Sequence, residues 1–164
     1  MLRNKTLIEA PMTASVPPSD PEDRRSWMGV LARARPERLA ELMPADPDQS
    51  PVILRQPEIG TVMVQGRIGA SGGPFNLGEM TVTRCSLRLE NGAVGHAHVQ
   101  GRSKDHARRA ALVDALMQTD RAARLRRDVL EPLLRDEADR RRQRAEKAAA
   151  TKVEFFTLVR GEDS

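Results

Sequence analysis

Apolar side chains follow two different rhythms along the chain, one helical and one β-prone. In PEDRRSWMGVLARA, Trp27, Val30, Leu31 and Ala34 recur three and four residues apart, which predicts an amphipathic helix with Asp20 and Asp23 as candidate caps. Pro36 restarts a shorter helix, PERLAELM, closed by Pro44, so the two predict a helical hairpin. PADPDQSP is a loop by its prolines and aspartates. The rhythm then becomes β-prone: VILR, IGTVMVQGRI, EMTVTRCSLRLE and AVGHAHVQGR, separated by turn residues, predict four antiparallel strands in a meander. Asn91-Gly92 suits a two-residue type I′ turn. That register sets Leu89 opposite Val94, Leu87 opposite His96 and Cys85 opposite His98 on one face, leaving Arg84, Ser86 and Arg88 with Gly95 and Ala97 on the other.

Helical spacing returns after Ser103, a natural cap for KDHARRAALVDALMQ. Thr119 or Asp120 begins a further helix, in which Pro132 forces a kink or a restart. Past Leu134 this helix is almost wholly charged, with Asp136/Arg140 and Glu137/Arg141 at i,i+4 spacing, and predicts a projecting segment over about residues 133–150. KVEFFTLVRG predicts a short C-terminal strand over about residues 152–160. Its Phe155, Phe156, Leu158 and Val159 need cover on this sheet or on another chain, which makes them interface candidates. Residues 1–20, with three prolines and little periodicity, are expected to be a disordered extension, and either Met1 or Met12 can be the native start. The fold class is therefore α+β: a four-stranded antiparallel meander flanked by an N-terminal helical hairpin and C-terminal helices, with residues 21–164 as one domain.

Composition sharpens this picture at two points. The 164 residues include one Trp, three Phe and no Tyr, so Leu, Val, Met, Ala and Ile must supply a thin core. A net charge of +4, carried mostly by Arg, favours anionic partners. One cysteine excludes an intrachain disulfide framework and a cysteine-rich cluster held by this chain alone, and fits a reducing compartment. With no apolar run long enough for a signal peptide or a membrane span, a cytoplasmic location without membrane contact is expected.

Candidate chemistry is sparse. The loop GRIGASGGPFNLGE can offer backbone N–H groups to phosphate oxygens with Arg67 beside them, or can be a structural hairpin loop; it lacks the Gly-Lys-Ser/Thr ending of a P-loop. Cys85, His96 and His98 would cluster in the register above, as weak metal candidates, as a nucleophile with its base, or as a half-buried thiol beside two imidazoles. Three candidates do not close a structural site, so no metal is expected. Arg102, Arg108 and Arg109 form either an anion site at a helix start or a solvated face. DEADRRRQRAEK invites a nucleic-acid reading, against which stand its interspersed acids and lack of stacking aromatics.

The ordered blocks LRQPEIGTVMVQGRIGASGGPFNLGEMTVTRC, GHAHVQGRSKDHARRAALVDAL and VEFFTLVRG, over about residues 24–161, resemble the PhnG family, the G subunit of the bacterial carbon-phosphorus lyase core complex. The resemblance implies a role in phosphonate breakdown beside the H, I and J subunits, with the ATP-binding L subunit acting alongside. It implies that ATP and an alkylphosphonate are substrates of the complex. Adenine is displaced to give ribose 1-methylphosphonate 5-triphosphate, with no cofactor held by this chain. The iron-sulfur and S-adenosylmethionine chemistry of the later bond-cleaving step belongs to the J subunit. The displacement itself is expected mainly in the I subunit, with this chain as an accessory that is inactive alone and has no identified catalytic residue. Arg55, Glu58, Arg67, Phe75, Asn76, Glu79, Arg84 and Arg102 are the candidates for contact with a partner or ligand. A basic nucleic-acid-binding module and a free-standing hydrolase using Cys85 and His98 are the rival readings.

Overall fold

In the computed structural model, which describes residues 21–44 and 50–150, a proline begins each of the first two helices, α1 (Pro21–Arg33) and α2 (Pro36–Leu42). Proline's fixed φ suits a first turn whose N–H would be unbonded anyway. Three antiparallel strands follow, β1 (Val52–Arg67), β2 (Pro74–Arg88) and β3 (Val94–Gln100), in the order β1-β2-β3. The expected four-stranded meander is thus corrected to three strands among the described residues, because VILR and IGTVMVQGRI are one strand. Pro57 lies inside it. As an edge strand β1 tolerates a residue without an N–H, and register shifts between Ile53/Arg55 and Arg55/Glu58 absorb the irregularity. The expected N-terminal extension and C-terminal strand lie outside the described residues.

The β2–β3 turn also differs from expectation. Leu89 N–H donates to Ala93 O (2.9 Å) and Gly92 N–H to Leu89 O (3.0 Å), while Gly92 alone takes a positive φ of 88°. This is a three-residue loop ending in a left-handed glycine, not a two-residue type I′ turn. The register moves by one: Arg84 faces His98, Cys85 faces Ala97 and Ser86 faces His96. A one-residue slip reverses every side chain of β3. His96 and His98 therefore share the outer face with Arg84 and Ser86, and the expected cluster with Cys85 does not exist.

The inner face of the sheet carries Thr83, Cys85, Leu87, Ala97 and Val99, all buried, against α3 (Lys104–Leu116). Ser103 caps α3 by accepting from His106 N–H (3.2 Å). Contact is unusually close at Gly95, where a Cβ would stand 1.9 Å from Ala111 O and 2.7 Å from Ala115 N. Only glycine lets the α3 backbone lie directly on β3. Ala107, Ala110, Ala111 and Ala115 continue this small-residue contact, and Trp27, Leu31, Leu39 and Val113 fill the core around it.

At the centre of that contact Asp114 is fully buried. Its Oδ1 accepts from Arg24 Nε (3.1 Å) and Trp27 Nε1 (2.9 Å), and its Oδ2 from Arg24 Nη2 (2.7 Å) and His96 N–H (2.8 Å). One carboxylate thereby joins α1, β3 and α3.

The C-terminal helices continue through α4 (Ala122–Leu125), a π-helical turn at Arg126–Leu130, and α5 (Glu131–Ala150). The π turn, in which Glu131 N–H donates to Arg126 O, is the local answer to Pro132, and α5 restarts at Glu131 beside that proline, in keeping with the expected kink or restart. Arg126 pairs with Asp23 and lies over the Trp27 ring at 5.8 Å. Arg33 with Glu137 (2.8 Å) and Arg38 with Asp136 (2.9 Å) fasten the first half of α5 to α1 and α2, while residues 141–150 are all exposed.

Asp114→Ala leaves a guanidinium, an indole N–H and a backbone N–H without their acceptor, and should lower unfolding free energy by about 3–5 kcal/mol in urea denaturation. His106 gives a pH signature. Its buried ring donates from Nε2 to Leu31 O (2.9 Å) and, among the described residues, nothing bonds Nδ1, so desolvation chiefly lowers its pKa below 6.5. The unfolded chain then takes up a proton that the folded chain refuses. Stability should be level in this respect above about pH 6.5 and fall as pH drops toward the folded value, and the fall should be shallower in His106→Gln.

Candidate functional site

Pairing between β2 and β3 ends at Val82 and Gln100, whereas pairing between β1 and β2 runs on to Arg67 and Pro74. The far parts of β1 and β2 therefore project as a two-stranded ribbon with, among the described residues, no third strand beside it and large apolar groups exposed. Met63 is 53% exposed, Leu77 67% and Ile68 69%, with Ile59 and Phe75 also exposed. Leu77 is exposed for a local reason. Val64 faces Gly78 while Gln65 faces Asn76, so Leu77 is the extra residue of a bulge, which re-aims its side chain.

Glycines shape the ribbon's tip. Gly69 has φ 57°, and Gly72 N–H donates to Ile68 O (2.8 Å). Phe75 faces Gly66, and a Cβ on that glycine would be 3.4 Å from the Phe75 ring; the ring lies across the bare backbone of its cross-strand neighbour. Arg67 turns back to donate to Gly72 O (3.3 Å), closing its own loop. Asn76 and Glu79 are exposed opposite Gln65 and Met63.

At the ribbon's base Arg84 donates to Glu58 Oε1 (2.9 Å), with Arg55 Nε 3.8 Å from the same oxygen. The Arg84 guanidinium lies against Gly60, where a Cβ would meet Nη2 at 3.4 Å. Gly101 N–H donates to Thr81 O (3.0 Å) and Thr83 Oγ1 to Gly101 O (2.8 Å), pinning the turn that carries exposed Arg102 to the point where the ribbon leaves the sheet.

The candidates thus fall into two groups, Arg55, Glu58, Arg84 and Arg102 around the base, and Arg67, Phe75, Asn76 and Glu79 farther out. Phe155, Phe156, Leu158 and Val159 lie outside the described residues. Sequence reasoning missed Ile59, Met63 and Leu77 as surface groups, and the exposed Ser86 Oγ···His96 Nδ1 contact of 2.9 Å. Alternation along IGTVMVQGR marks a two-faced strand, but nothing local tells that β3 is too short to cover it. Of Arg108 and Arg109, named with Arg102 at the start of α3, Arg108 stands 3.6 Å from Asp105 of its own helix.

Cys85 carries no nucleophilic site. Its thiol is buried opposite Ala97, and burial pushes its pKa up, with Arg108 drawing it slightly back. Among the described residues no three His, Cys, Asp or Glu side chains are grouped so as to hold a metal ion, and no helix is long and apolar enough to cross a membrane.

Two comparisons bear on this arrangement. The family model for "Phosphonate metabolism protein PhnG" matches residues 22–161. The chain is also 46% identical over 142 residues to the alpha-D-ribose 1-methylphosphonate 5-triphosphate synthase subunit PhnG of Rhizobium meliloti (strain 1021), covering 85% of this chain and 90% of that protein.

A buried neutral thiol should label slowly. In native buffer Cys85 is expected to react with a thiol reagent at least about tenfold more slowly than in urea, and comparable rates would place it at the surface.

Proposed function

The chain belongs to the PhnG family, and from that membership we propose that it is a subunit of an alpha-D-ribose 1-methylphosphonate 5-triphosphate synthase in the carbon-phosphorus lyase pathway. In the reaction of the assembled enzyme an alkylphosphonate oxygen bonds to C1′ of the ATP ribose as the bond from C1′ to adenine breaks. The chain works in the cytoplasm beside the H, I and J subunits, with the L subunit alongside. It acts as an accessory to the chemistry, chiefly that of the I subunit, and holds no cofactor of its own.

The observation that carries this reading is the ribbon. Ile59 and Met63 on one face, Phe75 and Leu77 on the other, and Ile68 at the tip stand exposed on one projection, and large apolar groups gathered in water in this way mark a protein contact. Arg55, Glu58, Arg67, Asn76, Glu79, Arg84 and Arg102 rim it, facing either the partner or the triphosphate-bearing ligand. A nucleic-acid role is less well supported. Arg135, Arg141 and Arg142 of α5 pair with Glu131, Glu137 and Asp139 of the same helix, which breaks up a continuous basic stripe.

The test is a double variant, Met63→Asp with Leu77→Asp. Both side chains are exposed, so the unfolding free energy of the chain from urea denaturation should change by no more than about 0.5 kcal/mol. Co-elution with co-expressed H, I and J subunits should be lost. Adenine release from ATP and methylphosphonate, assayed with the L subunit added, should fall at least about tenfold. Unchanged assembly and turnover would refute the reading.

A further inference from the structure

The outer edge of β3 is capped along one half and open along the other. Hydrogen-bonded pairs of the hairpin fall at Leu89/Ala93 and Thr81/Gly101. Antiparallel pairing alternates, so Gly95, Ala97 and Val99 turn their backbone groups toward β2, while Val94, His96, His98 and Gln100 turn theirs outward. Near the hairpin the outward groups are satisfied. Val94 O accepts from Arg24 Nη2 (3.1 Å) and Gln118 Nε2 (2.8 Å), and His96 N–H donates to Asp114 (2.8 Å). Beyond that point, among the described residues, no hydrogen bond engages the His96 carbonyl, the backbone N–H and C=O of His98, or the Gln100 N–H.

Beside this open half runs a groove of about 210 Å³, lined by Met28, Gly29, Leu31, Ala32 and Ala110 of the helices and by β3 from His96 to Val99. The walls that the helices contribute are apolar. The side chains of His96 and His98 are exposed on the outer face of the sheet. Arg102 and Lys104, also exposed, follow directly after the strand and make its far end cationic.

We infer that the open half of β3 receives an extended segment of a partner subunit as an added strand, with an apolar side chain in the groove and acidic residues at the alternate positions beside His96 and His98. The inference rests on the subunit role proposed above and names a surface separate from the ribbon. Outward N–H and C=O groups spaced two residues apart match an extended backbone and no helix, which bonds internally. Side chains of an added strand alternate between faces. One set then enters the groove, and the other stands among imidazoles and cations, where carboxylates are the complementary group.

Amide hydrogen exchange tests this without a variant, on the free chain and on the complex purified with H, I and J subunits. Assembly should slow the His98 and Gln100 amides roughly tenfold or more, while the ladder amides of Ala97 and Val99 change little. A complex that forms and turns over with His98 and Gln100 exchanging as in the free chain overturns the inference and leaves the subunit role standing. A chain that forms no complex overturns both. His98→Pro is a second probe, since it removes an outward N–H and no ladder bond. The folded variant should retain partner subunits about tenfold less well on affinity capture, and undiminished retention would overturn the inference.

Discussion

Everything in this fold is arranged around one buried carboxylate. An ionised group taken out of water is tolerable only when its lone pairs are filled, and Asp114 meets that demand with two nitrogens of Arg24, the Trp27 indole and the His96 amide. Those donors come from α1 and β3, while the acid sits on α3, so satisfying the charge fixes three elements at once. Gly95 makes the arrangement possible by letting α3 lie backbone-to-backbone on the sheet. The same contacts seal the edge of β3 near the hairpin and end there, which is why that edge is closed at Val94 and open at His98.

A core built around alanines and one tryptophan is small, and β3 is short. Among the described residues no helix lies beneath the part of the β1–β2 ribbon that extends past β3, and Met63, Leu77 and Ile68 stand exposed there. Under the subunit role proposed above, such unburied surface has a physical meaning: part of the hydrophobic stabilisation would be completed against another chain. The ion pairs of Arg33 with Glu137 and of Arg38 with Asp136 join the first half of α5, whose Leu133 is part of the core, to α1 and α2.

Local chemistry made much of this legible. Prolines at helix starts, the Ser103 cap, the periodicity of α1 and α3 and the two faces of β2 all stand as the residue pattern indicates, and the ordered blocks were enough to point to the family. The failures have physical causes. Pro57 separates two strand-like runs in the sequence, yet it sits on an edge strand inside the register shift between Arg55 and Glu58, where the ladder is already interrupted. Asn91-Gly92 fits either a two-residue turn or a three-residue loop with a left-handed glycine, and the choice between them reverses β3. Asp114 reads as an ordinary polar position of a helix, because its partner Arg24 lies 90 residues away. Of the candidate site, the charged residues and Phe75 were named from the residues, whereas the exposure of Ile59, Met63 and Leu77 depends on where β3 stops.

The most direct measurement is methionine oxidation by dilute peroxide, read by mass spectrometry on the free chain and on the assembled complex. Met63 stands half in solvent on the ribbon while Met117 is buried, so each sample carries its own reference. In the free chain Met63 should oxidise quickly and Met117 slowly; in the complex Met63 should become nearly as slow as Met117. Equal oxidation of Met63 in the free and assembled states would mean that the ribbon stays in water, and would contradict the claim that this surface exists to be covered by a partner.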